Sequence, residues 1–297
     1  MRSGDEAHKG DHLTGDGHLT DETIMAIIAM TQHIGTRAVE LGRLTAELLD
    51  YRLLTAEQLY AEVAQRYHVA PAQLVIVDER RPHFWERLKA DTQRFAAFFR
   101  AVVLKEMAAD RLVVVGRSVT YQLPHSRCGL RVRLVGPLED RTKAVASEEK
   151  LATAVAERRV RDYDRELRAR IQTLYNFDLD DPVNFDLTLN SYALPIAMQV
   201  KMLAELALDI DQAVAPEDWQ QMRDAAVAAE VHAALMLHPK IGHAPLEVQC
   251  AKGRVQVNGP GLVPPWDGLI YDVARQVEGV HAVEVVADEQ PMPVRPS

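Results

Sequence analysis

The seven residues Ile24 to Met30 (IMAIIAM) constrain the fold most. An unbroken apolar run of this length shows no polar alternation and is too short for an ordinary helix. It predicts a strand buried on both faces, the condition of an inner strand in a parallel sheet. The stretch Thr31-Gln32-His33-Ile34-Gly35-Thr36 then turns the chain, and Val39, Leu41, Leu44, Leu48 and Leu49 recur near helical spacing. The opening unit is therefore strand, glycine-containing turn, helix.

Helices are expected over 56–67 and 84–107, the second carrying Phe95, Phe98 and Phe99 on its apolar face. Leu112 to Val115 reads as another buried strand. Leu130, Val132 and Leu134 alternate with Arg131 and Arg133 in a third, which stops at Gly136-Pro137. A long charged helical region over 138–174, a short strand over 185–189 and a helix over 195–208 follow. Strands alternating with helices imply an α/β fold, a parallel sheet with helices on both faces.

The stretch Asp211 to Glu217 (DQAVAPE) interrupts this pattern with charge and a proline, and reads as a linker. Beyond it come a helix over 219–237, alternating strands over 246–250 and 254–258 joined by Ala251-Lys252-Gly253, a helix over 266–277 and a strand over 281–286. This is a small αββαβ unit. The expected division is a disordered tail over 1–20, a first domain over 21–210, a linker over 211–222, a second domain over 223–288 and a tail over 289–297.

With 297 residues, two units of this size can each bury a core. A formal net charge of −9 offers no broad basic surface for nucleic acid or an anionic membrane. No apolar stretch precedes Ile24, so no signal peptide is expected, and the longest apolar run is too short to span a bilayer. The two cysteines, Cys128 and Cys250, lack metal-binding spacing. A cytoplasmic location fits these features. No GxSxG, HExxH or dinucleotide glycine fingerprint is present, and His125, His232, His238 and His243 have no partners at ligand spacing.

Three blocks carry a resemblance: VVVGRS (113–118), LRVRLVGPLEDR (130–141) and YNFDLDDPVNFDLTLNS (175–191). In this order the chain resembles the cytidylate kinase-like family, a P-loop branch related to nucleoside monophosphate kinases. Residues 225–288, through Gly253 to Gly259 and Glu278 to Val283, resemble a BON module, which implies a binding unit for a protein or small ligand.

Phosphoryl transfer needs backbone N–H groups facing phosphate at the positive end of a helix, together with cations and usually Mg²⁺. The resemblance places that loop at His33 to Leu41. Gly35, Thr36, Glu40 and Leu41 fit the family, whereas two glycine positions hold Arg37 and Ala38, and no lysine follows a glycine. Two readings stand: a degenerate phosphate loop strained and obstructed at these positions, or one in which Arg37 replaces the missing cation.

Arg158, Arg161, Arg165 and Arg168 fall on one side of a helix, either as a solvated face paired as Glu157–Arg161 and Asp164–Arg168 or as a phosphate clamp. The resemblance implies the clamp for Arg161, Arg165 and Arg168. It implies donor contacts for Gly35, Thr36, Arg37, Ala38 and Arg141, and acceptor contacts for Arg117, Arg131, Arg133 and Asp186. Thr55 stands where many relatives carry an acidic residue. The implied function is ATP-dependent, Mg²⁺-assisted phosphoryl transfer to a pyrimidine nucleoside monophosphate. The alternative is a catalytically inactive pseudokinase that senses nucleotide or scaffolds a partner.

Overall fold

A computed structural model describes residues 26–69, 89–109, 111–116, 118–124 and 127–288, with only the backbone for 89–92 and 288. Both tails, Arg117 and His125 lie outside those residues. Five strands form one parallel sheet: β1 (Ile27–Gln32), β2 (Arg52–Thr55), β3 (Leu112–Val115), β4 (Gly129–Val135) and β5 (Leu187–Asn190), in the spatial order β2-β3-β1-β4-β5. All four pairings are parallel. Strand β2 is absent from the sequence reading, because four residues with only part of their surface covered give little periodic signal.

The apolar run of β1 is explained by cover on both sides. Ile28 and Met30 pack with Val113, Val115, Val132 and Leu134 against α1 (Ala38–Leu49) and α6 (Ile196–Ala213). On the other face, Ile27 and Ala29 join Leu112 and Val114 against α2 (Ala56–Tyr67) and α3 (Lys89–Met107), where Phe95, Phe98 and Phe99 lie.

The charged region over 138–174 is two helices, α4 (Leu138–Glu148) and α5 (Thr153–Tyr175), broken where Lys150 takes φ 55°. Near its start α5 buries Ala156 and Val160 against Val145 and Ile34. Near its end Leu167 and Ile171 pack with Phe185 and Tyr121. At 1.5 Å per residue the helix is roughly 34 Å long, and these contacts join the turn after β1 to the segment after β3.

Residues 211–217 are helical at both ends: α6 runs to Ala213, and α7 (Pro216–Leu237) begins two residues after Val214. On α7, Trp219, Met222, Ala226, Ala229 and Ala233 pack into the core behind the large sheet, while Val231 and Leu235 pack under a second, three-stranded sheet. That sheet has the order β6 (Glu247–Ala251), β7 (Arg254–Pro260), β8 (Ala282–Asp288) and is backed by α8 (Trp266–Ala274). The hairpin β6–β7 turns on Lys252 (φ 52°) and Gly253 (φ 74°), the two positive φ values of a tight primed turn. Strand β8 runs parallel to β7, as a helical crossover requires.

Candidate functional site

The carboxyl ends of the large sheet meet at the turn after β1. This strand lies between β3 and β4, and the chain leaves β1 toward one edge of the sheet and β4 toward the other. Such a switch point opens a crevice suited to a ligand. His33 N–H donates to Leu134 O (3.0 Å), and both the N–H and the hydroxyl of Thr36 donate back to His33 O (3.4 and 2.8 Å).

Gly35 has φ 78°, and a Cβ there would lie 2.6 Å from Arg141 O. The position therefore needs glycine for both conformation and space. Arg37 has an unstrained φ of −90°, and Ala38 is the first residue of α1. The strain expected at these two positions is not present, because the turn uses its left-handed conformation at Gly35 alone. Arg37 does not lie across the turn either: its Nε and Nη2 donate to Glu40 at 2.8 and 2.9 Å. No side chain caps the amino end of α1, so its first N–H groups remain available with the positive end of the helix dipole.

Arg141 is the clasp of the turn. Its guanidinium donates to both carboxylate oxygens of Asp164 (3.1 and 2.8 Å), to Gly136 O (2.9 Å) and to Ile34 O (3.4 Å). Those bonds commit most of its N–H groups to the turn and to Asp164. The Tyr192 hydroxyl donates to Gly35 O from the other side. Tyr192 escaped the sequence reading because its phenol reaches the turn across 157 residues.

Beside the turn lie polar groups that packing leaves unmatched. Arg133 is 3% exposed, and its guanidinium lies over the Phe185 ring at 5.8 Å. Its Nη1, the Nδ1 of His33 and the Oε1 of Gln32 have no hydrogen-bond partner among the described residues. Burial, then the charge of Arg133, holds the His33 pKa down at about 4; Arg141 acts in the same sense, and Asp164 and Asp180 oppose it. His33 is thus a neutral imidazole at neutral pH. Desolvation lowers the Arg133 pKa from its usual value, yet a guanidinium keeps its charge.

Arg131 is one β-repeat earlier on the same face of β4. It ties neighbouring segments together, donating to Leu123 O (3.1 Å) and Pro124 O, with Nη1 3.6 Å from Asp186. Asp186 also accepts the Arg131 backbone N–H at 2.7 Å. On α5, Arg161 pairs with Glu157 (2.8 Å), Arg165 with Asp162 (2.6 Å) and Arg168 with Asp180. The expected Asp164–Arg168 pair does not form, because Asp164 faces Arg141 instead. Thr55 precedes α2, and its N–H donates to Gln58 Oε1 at 2.8 Å.

A parallel sheet in this order, with a glycine turn feeding an uncapped helix and a buried arginine alongside, makes this an α/β protein with its crevice at the carboxyl edge of the sheet. The chain belongs to the cytidylate kinase-like family, whose profile matches residues 27–193. No curated protein matches it. Similar solved structures include an uncharacterised protein from Eubacterium ventriosum ATCC 27560, 16% identical over 62% of this chain and 99% of that one, with a TM-score of 0.49. A shikimate kinase from Bacteroides thetaiotaomicron is 18% identical over 61% and 98% (TM-score 0.41). A gluconokinase from Sinorhizobium meliloti 1021 is 14% identical over 65% and 97% (TM-score 0.37). Among the described residues, no helix is long and apolar enough to cross a membrane.

Proposed function

We propose that the chain binds ATP at the turn from Gly35 to Ala38 and transfers its γ-phosphoryl group to a pyrimidine nucleoside monophosphate. One observation carries this reading: the cation of Arg133 is buried beside the phosphate turn with an N–H that nothing described accepts. A buried unpaired charge costs several kcal/mol, and a phosphate oxygen in the crevice supplies the missing partner.

In the reaction, an oxygen of the acceptor phosphate attacks the γ-phosphorus. The bond from phosphorus to the β,γ-bridging oxygen breaks, and its electron pair leaves with ADP, giving ADP and the nucleoside diphosphate. The protein's part is positioning and charge neutralisation. The free N–H groups of the turn and the start of α1 face the donor phosphates, and Arg133 faces the acceptor or transferred phosphate. Arg161, Arg165 and Arg168 act as a clamp by exchanging Glu157, Asp162 and Asp180 for phosphate. Their present pairs are exposed, and such pairs contribute only about 0–1 kcal/mol each.

Mg²⁺ fits this site because it keeps phosphate oxygens and water as most of its ligands and needs few protein oxygens; Thr36 would supply a hydroxyl, and the ion would neutralise donor phosphate charge. In the same proposal, the unit from α7 to β8 is a BON-like element that meets a protein or small ligand.

Calorimetry with ATP·Mg²⁺ and with CMP, followed by a coupled ADP-release assay, tests the reading. Arg133→Met should lower turnover by about 100-fold while leaving stability unchanged or raised, since replacing a buried charge by an apolar group of similar size often does so. Binding without turnover in the native chain would identify a nucleotide-binding scaffold instead. Neither heat nor turnover would discard the enzyme reading.

A further inference from the structure

A second cleft lies away from the sheet edge, where α3, α7, the β6–β7 turn and the loop before β8 meet. Its volume is ≈ 660 Å³. Lys105 of α3, Arg223 of α7 and Lys252 of the hairpin turn bring three permanent cations to it, each exposed. The acidic residues in its wall are Asp224, Glu230 and Glu278. Two of these already have partners. Asp224 accepts the backbone N–H groups of Lys252 (2.8 Å) and Gly253 (3.2 Å), and Glu230 accepts from Arg66. No ion pair joins Lys105, Arg223 or Lys252 to an acid among the described residues; Arg223 makes a hydrogen bond to Gln220 at 3.2 Å. Backbone donors leave Asp224 its negative charge, so with Glu230 neutralised by Arg66 two acids, Asp224 and Glu278, stand against three cations.

The chain as a whole carries a net charge of −9, so a cleft with surplus positive charge is a local feature. Its cations come from three separate elements and cannot be the solvated face of one helix. Ala226 and Val227 add an apolar patch to the wall. From these features we infer a binding site for a small phosphorylated anion, in which the three cations hold the phosphate and the apolar patch holds the remainder. The site is separate from the phosphate turn and stands whether or not the chain transfers phosphoryl groups.

The full chain is titrated with inorganic pyrophosphate at low salt, because exposed charges are screened at high salt. Arg223→Gln combined with Lys252→Gln should weaken one binding event by at least about tenfold, each lost charge-assisted hydrogen bond being of that order. Arg133→Met should leave that event in place. Lys105→Gln alone, in a helix far from the hairpin turn in sequence, should weaken it as well. An event lost in Arg133→Met and kept in the paired variant would belong to the phosphate turn and overturn the inference. Wild-type chain without any event that survives Arg133→Met would overturn it too. Thermal melts of each variant separate a lost site from a lost fold.

Discussion

Protonation of His33 is opposed by burial and by the arginines around it. Its pKa falls from the usual 6.5 to about 4, so between these values the unfolded chain binds more protons than the native one. The stability this group contributes is complete above pH 6.5 and is lost as pH falls toward 4. The amount is on the order of 3 kcal/mol, because each tenfold change in proton affinity is worth about 1.4 kcal/mol. Denaturant titrations at pH 7 and pH 5 should show about half of that loss, and His33→Gln should reduce it. Gly35 offers a second test at this scale. Its φ of 78° and the 2.6 Å approach to Arg141 O leave no room for a methyl group. Gly35→Ala should cost about 2 kcal/mol in backbone strain alone, with loss of ATP heat in calorimetry. The need for glycine here was legible in the sequence. The tolerance of Arg37 and Ala38 was not, because φ belongs to the folded turn and not to the residue type.

At the scale of elements, the turn after β1 is held by α4 through Arg141, which Asp164 of α5 braces, and by the loop after β5 through Tyr192. Arg141 and Asp164 are largely buried, with side chains 6% and 14% exposed. Removing one member leaves a charge stranded, so Arg141→Met should destabilise the chain by about 3 kcal/mol. Adding Asp164→Asn should recover part of that loss, which a double-mutant cycle from denaturant midpoints would measure. If the two losses simply add, the pair does not clasp the turn. Sequence reading gave Arg141 a donor contact and set Asp164 beside Arg168 on a helix face. Helical spacing identified the local neighbours of Asp164, but pairing with a residue 23 positions away depends on how α4 and α5 pack.

For the whole molecule, α7 decides how the two sheets are related. Its residues Trp219 and Met222 are 5% and 0% exposed within the core of the large sheet, while Leu235 is fully buried beneath the small one. A helix shared by two cores should couple them, so the full chain is expected to melt in one cooperative transition. Trp219→Ala, which removes a large buried side chain, should lower that transition by about 3–5 kcal/mol. Two separate calorimetric peaks, with only the first moved by the substitution, would show that the sheets unfold independently.

The amino-acid order alone determined the alternation of strands and helices, the doubly buried first strand, the glycine turn and the αββαβ order of the C-terminal region. These depend on periodicity and on backbone preferences that each segment carries with it. Only the tertiary structure decided the sheet order, the short edge strand β2, the sharing of α7 and the division of arginines into clasp, tie and unmatched cation. Arg131 and Arg133 show the reason. They lie two residues apart on one face of one strand, yet the first ties Leu123, Pro124 and Asp186 together, while the second reaches the sheet edge with an N–H unmatched among the described residues. The chemistry of an arginine is fixed by its side chain, but its role depends on which oxygens the rest of the chain brings within reach.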